Sequence, residues 1–379
     1  MILKIDKIIN NGYGLGKISN KVFFVPYTIP GEVVDVEIAE SKKSYNMAFV
    51  KDIKEISPDR IKPRCDLFKK CGGCDFLHIS YEKQIEIKKN IIIEFLEKHK
   101  ITVEVPVEFI KSPEPFNYRN SARFAVFNLK PAFFKKNSKD FVEVNYCFIL
   151  DNKINDFISE LNLKSYVDEL ILKIDNTEHI SHNLLSSSNK KNRLKFKIND
   201  LIIEYDYRVF FQVNNSIIPV WLNLIAEFLE PFPKKRILDL YSGVGIISLF
   251  LASQYRKDIK KITGIEVDNT AVNFARLNRE KNRLLNTHFV AGRVERILHN
   301  YETADIVIVD PPRSGLGKKV AENLKRIKPR VIIYSSCDIS TFIRDAEKLI
   351  DAGYSLQKIV GLDMFPQTYH FETLALFSL

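Results

Sequence analysis

The sequence has 379 residues, of which 45% are hydrophobic and 27% are charged, and its formal net charge is +10 at pH 7. A chain of this length and composition is expected to fold into two or three soluble domains, and no apolar run in it is long enough to cross a bilayer. The excess of cations favours a polyanionic partner such as a nucleic acid, although composition alone does not decide this. Residues 1–7 alternate charged and apolar side chains, so we expect no secretory leader and a cytoplasmic protein.

The segment 1–58 is predicted to be a small antiparallel β-barrel. Short alternating runs such as 34–38 are separated by glycines at positions 12, 14 and 16 and by the Pro30-Gly31 turn, a pattern typical of hairpins. The glycines lack the spacing and the following helix of a phosphate-binding loop, so we interpret them as turn glycines. A small basic barrel of this kind can bind oligonucleotides on its face.

The segment 59–210 is predicted to be a central α+β domain. A loop with three cysteines is followed by helical spacing over 81–100, where a helix can pack on the C-terminal domain, and strand patterns return over 107–210. Basic residues recur in its turns, at Lys135, Lys136, Lys190, Lys191 and Arg193. The sequence leaves open whether these turns contact RNA or only keep the surface soluble.

The segment 211–379 is predicted to be an α/β domain. Apolar strands are expected at 236–240, 261–267, 305–309, 331–335 and 373–377, with helical stretches between them. Continuous apolar strands that alternate with helices are typical of a parallel sheet covered on both faces.

The first strand of this domain leads into a glycine turn and a helix, in the order Asp239-Leu240-Tyr241-Ser242-Gly243-Val244-Gly245. Such a turn lets the backbone approach a nucleoside-type ligand, and Glu266 at the end of the next strand is suited to accept hydrogen bonds from ribose hydroxyls. The turn lacks the glycine spacing of a dinucleotide-binding loop. Asp310, before two prolines at a later strand end, and Gln212, just before the sheet, further favour S-adenosylmethionine over a nicotinamide cofactor.

Cys337 directly follows a buried strand, on the same carboxyl edge of the sheet. A cysteine that stands among Ser335, Ser336 and Asp338 at a strand end is expected to be partly exposed, which favours a reactive thiol over a packing role. Carbon 5 of a pyrimidine is a poor nucleophile. A thiolate that adds to carbon 6 turns the ring into an enolate able to attack a sulfonium methyl group.

Removal of the carbon-5 proton after methyl transfer requires a base within reach of the nucleophile. Glu372 stands at the entrance to the last apolar strand, near Cys337 in the expected sheet order. His370 could serve instead, but a histidine between a tyrosine and a phenylalanine is more often structural, so we predict Glu372 as the base.

These residues resemble the uracil-5 RNA methyltransferase family over nearly the whole chain. The resemblance runs from a barrel similar to a TRAM domain, through Phe-Phe-Gln-Val-Asn at 210–214, to Ser-Ser-Cys-Asp at 335–338 and His-Phe-Glu-Thr at 370–373. It implies an α/β chain with a Rossmann-like class I methyltransferase domain over 211–379. Related cytosine-5 enzymes place their nucleophile just after the Asp-Pro turn, where this chain has Pro312-Arg313, and this difference favours uracil.

The resemblance also implies roles for single residues. Those that would bind S-adenosylmethionine are Gln212, Tyr241, Glu266 and Asp310. Cys337 would be the nucleophile and Glu372 the base, and Phe210 would stack on or near the target base.

The other four cysteines are Cys65, Cys71, Cys74 and Cys147. Three clustered thiols plus a distant fourth suit an iron–sulfur cluster better than structural zinc, which usually takes two separated cysteine pairs. The resemblance gives the same answer, a [4Fe-4S] centre in the central domain, as in the iron–sulfur branch of the family. We expect it to be structural and to fix an RNA-binding surface that includes Tyr118, Arg119 and Arg123.

The expected partner is RNA. Family members with four cluster cysteines commonly act on large-subunit ribosomal RNA, so 23S rRNA is preferred, and the T-loop uridine of tRNA is the alternative. We expect a monomer and no membrane partner. A non-catalytic RNA-binding protein is disfavoured because Cys337 and Glu372 are present, and an iron–sulfur redox enzyme with a nucleotide cofactor is disfavoured because the dinucleotide loop is missing.

Overall fold

The computed structural model describes residues 1–163, 165, 167–184 and 192–379. Lys190 and Lys191, for which RNA contact is an open alternative, lie outside the described residues, whereas Arg193 begins a strand. Within the described ranges, no helix is both long and apolar enough to cross a membrane.

Residues 1–58 form a six-stranded sheet with the strand order β1-β5-β6-β4-β3-β2. Its strands are β1 (Ile2–Lys4), β2 (Lys7–Ile8), β3 (Gly14–Ile18), β4 (Lys21–Val25), β5 (Val33–Ser41) and β6 (Tyr45–Glu55). Alternate side chains of these strands, including Leu3, Val25 and Val34, form a common core. The predicted antiparallel pairing is wrong at one place, because β4 and β6 run parallel.

The glycines of this segment have two different functions. Gly12 has a φ of +79° and is a turn glycine as predicted. Gly14 and Gly16 instead lie within β3, where an added Cβ would come within 2.0 Å of the Thr28 hydroxyl and 2.2 Å of the Lys4 carbonyl oxygen. There glycine permits a close approach of two chain segments, so the prediction of a turn is wrong for these two positions.

The central segment begins with α1 (Tyr81–Lys98) and β7 (Glu108–Ile110). A sheet of five strands follows among the described residues, with the order β10-β9-β8-β11-β12. Its elements are β8 (Ser121–Phe127), β9 (Lys130–Phe134), β10 (Phe141–Glu143), α2 (Asn152–Glu160), β11 (Glu169–Ile174) and β12 (Ile180–His182). One face of the sheet packs on α2 and includes the buried side chains of Phe124, Leu170 and Leu172. The helix α2 is absent from the predicted elements, which are strands over 107–210.

A hairpin, β13 (Arg193–Ile198) and β14 (Leu201–Asp206), ends the segment 59–210, and its buried side chains pack in a core of the helix-covered sheet that follows. The helices are α3 (Ile218–Leu229), α4 (Ile246–Gln254), α5 (Asn269–Lys281), α6 (Val294–Ile297), α7 (Lys318–Ile327) and α8 (Ile339–Asp351). The strands are β15 (Arg236–Leu240), β16 (Lys261–Glu266), β17 (Thr287–Ala291), β18 (Ile306–Val309), β19 (Val331–Ser336), β20 (Ser355–Leu362) and β21 (Glu372–Ser378). All five predicted strands are confirmed to within one residue at each end.

The main sheet has the order β17-β16-β15-β18-β19-β21-β20-β7 in the described part of the chain. The five strands from β17 to β19 are parallel. However, β21 runs antiparallel to both β19 and β20, so the prediction of a wholly parallel sheet is wrong at this strand. Helices cover both faces, and two apolar cores lie between the helices and the sheet.

Two elements of the central segment, one strand and one helix, contact this main sheet. The strand β7 pairs with β20, and α1 packs against α8 and β20. A fully buried ion pair joins Lys88 of α1 to Asp363, with 2.6 Å between Nζ and Oδ1. Tyr81 donates a hydrogen bond to the other oxygen of Asp363 at 2.8 Å. Loss of one partner of such a pair costs about 3–5 kcal/mol, so α1 firmly holds the loop that leads into Glu372.

Candidate active site

The residues expected to bind the cofactor and to react lie at the carboxyl ends of the parallel strands, along one edge of the main sheet. Tyr241 follows β15, Glu266 ends β16, Asp310 follows β18 and Cys337 follows β19. Because β21 is antiparallel, its first residue, Glu372, lies at the same edge as the ends of the parallel strands. The fold therefore brings together five residues that are far apart in the sequence.

The glycine turn after β15 leaves room for a ligand. Tyr241, Gly243 and Gly245 all have positive φ angles, of +64°, +54° and +81°. An added Cβ on Gly243 would meet no atom within 4 Å, whereas one on Gly245 would lie 2.6 Å from the Phe289 ring. Position 245 thus requires glycine because a side chain would collide with Phe289. Gly243 instead faces open space that a ligand can enter.

The Glu266 carboxylate is fixed by backbone amides. Its Oε2 accepts a hydrogen bond from Gly243 N at 2.9 Å, and its Oε1 accepts bonds from Val267 N at 2.7 Å and Asp268 N at 2.8 Å. A carboxylate oxygen can accept more than one hydrogen bond, so Glu266 retains some capacity for the hydroxyls of a ribose.

Two buried carboxyl groups, Asp239 and Asp310, lie beside this turn. Burial raises the pKa of each to about 7, and the Asp239 carboxylate contributes further to the raised pKa of Asp310. The Gln212 amide lies 3.4 Å from Asp310 Oδ2. Among the described residues, Asp239 Oδ1 and the Ser242 hydroxyl have no hydrogen-bond partner. Such orphaned buried atoms fit a polar, positively charged ligand such as S-adenosylmethionine, which would satisfy them and favour the ionised carboxylates.

Cys337 and Glu372 lie at the ends of two neighbouring strands. Burial, and secondly the Glu372 carboxylate, raise the pKa of the Cys337 thiol to about 11, against the Arg313 guanidinium, which lowers it. Burial, and secondly Asp310, raise the pKa of Glu372 well above its usual value. The site therefore combines a half-buried thiol with a carboxylate of high proton affinity.

Two further residues support Glu372, a role that the sequence pattern does not predict. The Ser335 hydroxyl donates to Glu372 Oε1 at 2.7 Å and accepts a hydrogen bond from Trp221 Nε1 at 3.2 Å. Ser335 stands two residues before Cys337 in the sequence, but no sequence signal connects Trp221, in α3, with this site. Arg313 was also missed, and its signal was its place directly after the Asp310-Pro311-Pro312 turn.

His370, the alternative base, lies in an apolar and cationic environment. Burial, and secondly the Arg313 guanidinium, lower its pKa to about 4, although the Asp75 carboxylate opposes this shift. Its ring centroid lies 4.0 Å from that of Tyr369. An imidazole of this pKa is a weak base at neutral pH.

Phe210 and Phe211 have different environments. Phe211 is buried, and its ring stacks on that of Tyr205 with 4.1 Å between the centroids. Phe210 is 70% exposed. Of the two, only Phe210 is available to a base.

The four remaining cysteines line one cavity of about 650 Å³. Burial raises the pKa of Cys74 well above its usual value and that of Cys147 to about 11, and neighbouring thiols of the group add to both shifts. No three His, Cys, Asp or Glu side chains among the described residues are placed to hold a metal ion. The four cysteines therefore share a cavity without being arranged around a single ion, and the iron–sulfur centre stays a prediction.

The structure corrects the expected RNA-binding surface at one residue. Tyr118 is only 3% exposed, and its hydroxyl donates to the Pro366 carbonyl oxygen at 3.0 Å, so it is an internal support and cannot contact RNA. Arg119 is half-buried and donates from Nε to the Ser121 carbonyl oxygen, while the Arg123 side chain is exposed.

The family model of tRNA (uracil-5-)-methyltransferases matches residues 162–378, more than half of the chain. The chain belongs to this family. A TRAM domain model matches residues 2–49 of this methyltransferase. An uncharacterized RNA methyltransferase of Aquifex aeolicus is 31% identical, over 99% of this chain and 97% of that protein, and one of Listeria monocytogenes is 29% identical, over 100% and 97%.

A crystal structure of the Pyrococcus abyssi tRNA (uracil-54, C5)-methyltransferase with S-adenosyl-L-homocysteine is similar over 100% of both chains. Its TM-score is 0.78 and its sequence identity is 25%. The 379-residue chain described here therefore has the class I S-adenosylmethionine-dependent methyltransferase fold with an N-terminal TRAM domain. The substrate of the family reaction is RNA.

Proposed function

We propose that this protein methylates carbon 5 of a uridine in 23S ribosomal RNA, with Cys337 as the nucleophile and Glu372 as the base. The observation that carries this proposal is the pairing of the Cys337 thiol with the buried Glu372 carboxylate at the edge where Asp310 and Gln212 lie. A thiol alone would fit many chemistries. A thiol beside a proton-accepting carboxylate fits an addition followed by an elimination.

The residues of the site divide the reaction between them. Glu266 would hold the ribose of S-adenosylmethionine, while Gln212 and Asp310 would hold its amino-acid end, and this cofactor supplies the methyl group. The Cys337 thiolate adds to carbon 6 and makes carbon 5 nucleophilic. After carbon 5 has gained the methyl group, Glu372 takes its proton, the carbon–sulfur bond breaks and the thiolate is released.

The nature of the RNA is the finer part of the proposal. The four-cysteine set supports 23S rRNA through the resemblance described above. The second candidate is the T-loop uridine of tRNA, which the substrate named for the Pyrococcus abyssi enzyme favours, because that enzyme is similar over the whole chain.

Mapping of 5-methyluridine distinguishes these candidates. We expect that cells without the gene lose 5-methyluridine at one position of 23S rRNA and keep it in tRNA, and that the wild-type gene restores it. A gene for the Cys337→Ala variant is the control and should restore nothing. Loss confined to tRNA would establish the second candidate, and unchanged 5-methyluridine in both RNAs would contradict the proposed function.

We further propose that Cys65, Cys71, Cys74 and Cys147 hold a [4Fe-4S] cluster with a structural role. All four line one cavity, and Gly73 N donates to Cys71 Sγ at 3.4 Å, as backbone amides do to cluster-bound sulfur. Each thiolate of such a cluster binds a different iron, so the four sulfurs need not converge on a single ion. Metal binding would also release the thiol protons that burial retains.

Iron analysis tests the cluster. Protein purified without oxygen is expected to contain about four iron atoms per chain and to show a broad brown absorbance that air removes. Cys71→Ser should lose iron and melt at a lower temperature, because ligand thiolates stabilise the fold that binds them. The matched control is Cys337→Ser, which should keep its iron. Stoichiometric zinc without iron, or a Cys71→Ser variant as stable as the wild type, would contradict the assignment.

A further inference from the structure

One face of the five-stranded central sheet exposes a row of aromatic rings. Phe127 is 43% exposed and Phe134 is 54% exposed. Phe141 lies between them, with its ring centroid 5.6 Å from that of Phe127 and 5.0 Å from that of Phe134. Apolar groups that are exposed together in this way often mark an interaction site.

The strand register places these rings on the face away from α2. Along β8, Phe124 points into the core, whereas Arg123 and Phe127 alternate with it and are exposed. Phe134 of β9 and Phe141 of β10 are direct partners across the two strands, so their side chains share a face. The row of rings thus belongs to the outer face of the sheet.

The other end of this outer face adjoins the catalytic domain. Lys173 of β11 is paired with Ser121 of β8, and its Nζ donates to the Val209 carbonyl oxygen at 2.6 Å. Phe210, the exposed residue expected to contact the target base, follows Val209 directly. The outer face therefore runs from Phe210, past Arg123, to the row of rings.

The charges along this face permit contact with a phosphate backbone. The exposed Arg123 guanidinium lies 3.4 Å from Glu169, and Lys130 lies 3.1 Å from Glu143. Exposed ion pairs of this kind contribute little to stability, so both cations can exchange these partners for phosphates. The aromatic rings form no ion pairs, and their contribution to affinity is contact with the bases.

We propose that the face formed by Arg123, Phe127, Phe134 and Phe141 stacks unpaired bases of the RNA strand next to the target uridine. The inference rests on the proposed function, in which RNA is the substrate. Every base has a π-face, so aromatic rings on a sheet bind single strands with little sequence preference. Bases within a duplex are stacked on one another and are not available to these rings. The enzyme would therefore require its uridine in a single-stranded segment.

Binding measurements with a defined probe test this surface. The probe is a labelled oligouridylate of about 12 nucleotides, within the usual range of single-strand sites, and the comparison is its duplex with oligoadenylate. The full-length protein should bind the single strand more tightly than the duplex. Phe134→Ala should weaken single-strand binding roughly tenfold, since it removes one stacking platform, and Phe134→Trp should bind as tightly as the wild type.

The matched control is Leu285→Ala, which removes a side chain that is 65% exposed in the turn before β17. It should bind the probe as the wild type does, and all variants should remain folded at the temperature of the binding measurement. Arg123→Gln should lower the slope of log affinity against log salt by about one, whereas Phe134→Ala should leave that slope unchanged. Unchanged affinity of Phe134→Ala, or a Trp variant as weak as the Ala variant, would overturn the proposal.

The outcome is separable from that of the proposed function. If the wild type methylates RNA and Phe134→Ala has an unchanged KM for it, only the stacking surface is wrong. If the wild type methylates no RNA but still prefers the single strand through Phe134, only the proposed function is wrong.

Discussion

Replacement of Cys337 by alanine is expected to abolish methyl transfer to RNA and to leave binding of S-adenosylmethionine largely intact. In the proposed mechanism the thiolate activates the pyrimidine ring, whereas the groups proposed to hold the cofactor, Glu266, Gln212 and Asp310, are unchanged in this variant. We expect the rate to fall by several orders of magnitude, as for other covalent nucleophiles. Methyl incorporation from labelled cofactor measures the rate, and calorimetry measures cofactor binding.

A covalent adduct provides the direct evidence for the nucleophile. Wild-type protein with cofactor should form an adduct with RNA that contains 5-fluorouridine, because fluorine cannot leave as a cation and elimination stalls after methylation. Cys337→Ala should form none. Because burial raises the thiol pKa to about 11, the rate of adduct formation should increase with pH across the neutral range. No wild-type adduct in the presence of cofactor would contradict the mechanism.

The parallel strands of the C-terminal domain were predictable because their signal is local. The segment 306–309 is wholly apolar, and 236–240 and 331–336 are mostly apolar, and nearly every residue of the three strands is buried. Such runs have few other interpretations. The direction of β21 was not predictable in the same way. An antiparallel strand inside a mostly parallel sheet has the same buried pattern, and only its partners β19 and β20 fix its direction.

Elements that depend on distant partners account for most of the other misses. The sequence pattern predicts α1 but not that β7 pairs with β20, since β7 has only three residues.

The missed helix α2 is nine residues long, and its signal was local: the Asp151 side chain caps it by accepting a hydrogen bond from Lys153 N. A helix of nine residues between strands gives a short periodic pattern that is easily missed.

The residues of the candidate site that stand at strand ends were predictable from the sequence. The residues that hold those side chains in place were not. Cys337 and Asp310 follow apolar strands directly, which places them at the ligand-binding edge of the sheet. Trp221 reaches this edge only through the packing of α3, and the sequence does not encode that contact locally. The expected RNA-binding surface includes Tyr118 together with Arg119, yet Tyr118 is buried, because adjacent residues in an irregular segment can point in opposite directions.

Replacement of Glu372 by glutamine should allow methyl transfer but slow the release of product by about 10²–10⁴-fold, the usual contribution of a positioned base. Glutamine keeps the size of the side chain and, through its carbonyl oxygen, the hydrogen bond from Ser335, so only the ability to take a proton is lost. Burial and the Asp310 carboxylate raise the pKa of Glu372, and a carboxylate of raised pKa accepts a proton from carbon more readily than an exposed one.

The expected result is that the Glu372→Gln variant accumulates a covalent complex with natural, unfluorinated RNA that already contains the methyl group. A denaturing gel detects the complex, and nuclease digestion followed by mass spectrometry identifies the methylated uridine on the Cys337 peptide. The control is His370→Asn, which should release product normally, because burial lowers the pKa of His370 to about 4 and leaves it a weak base. If Glu372→Gln turned over at the wild-type rate while His370→Asn accumulated the complex, the two roles would be reversed. The loop that α1 holds through Lys88 and Asp363 would then be what positions the base.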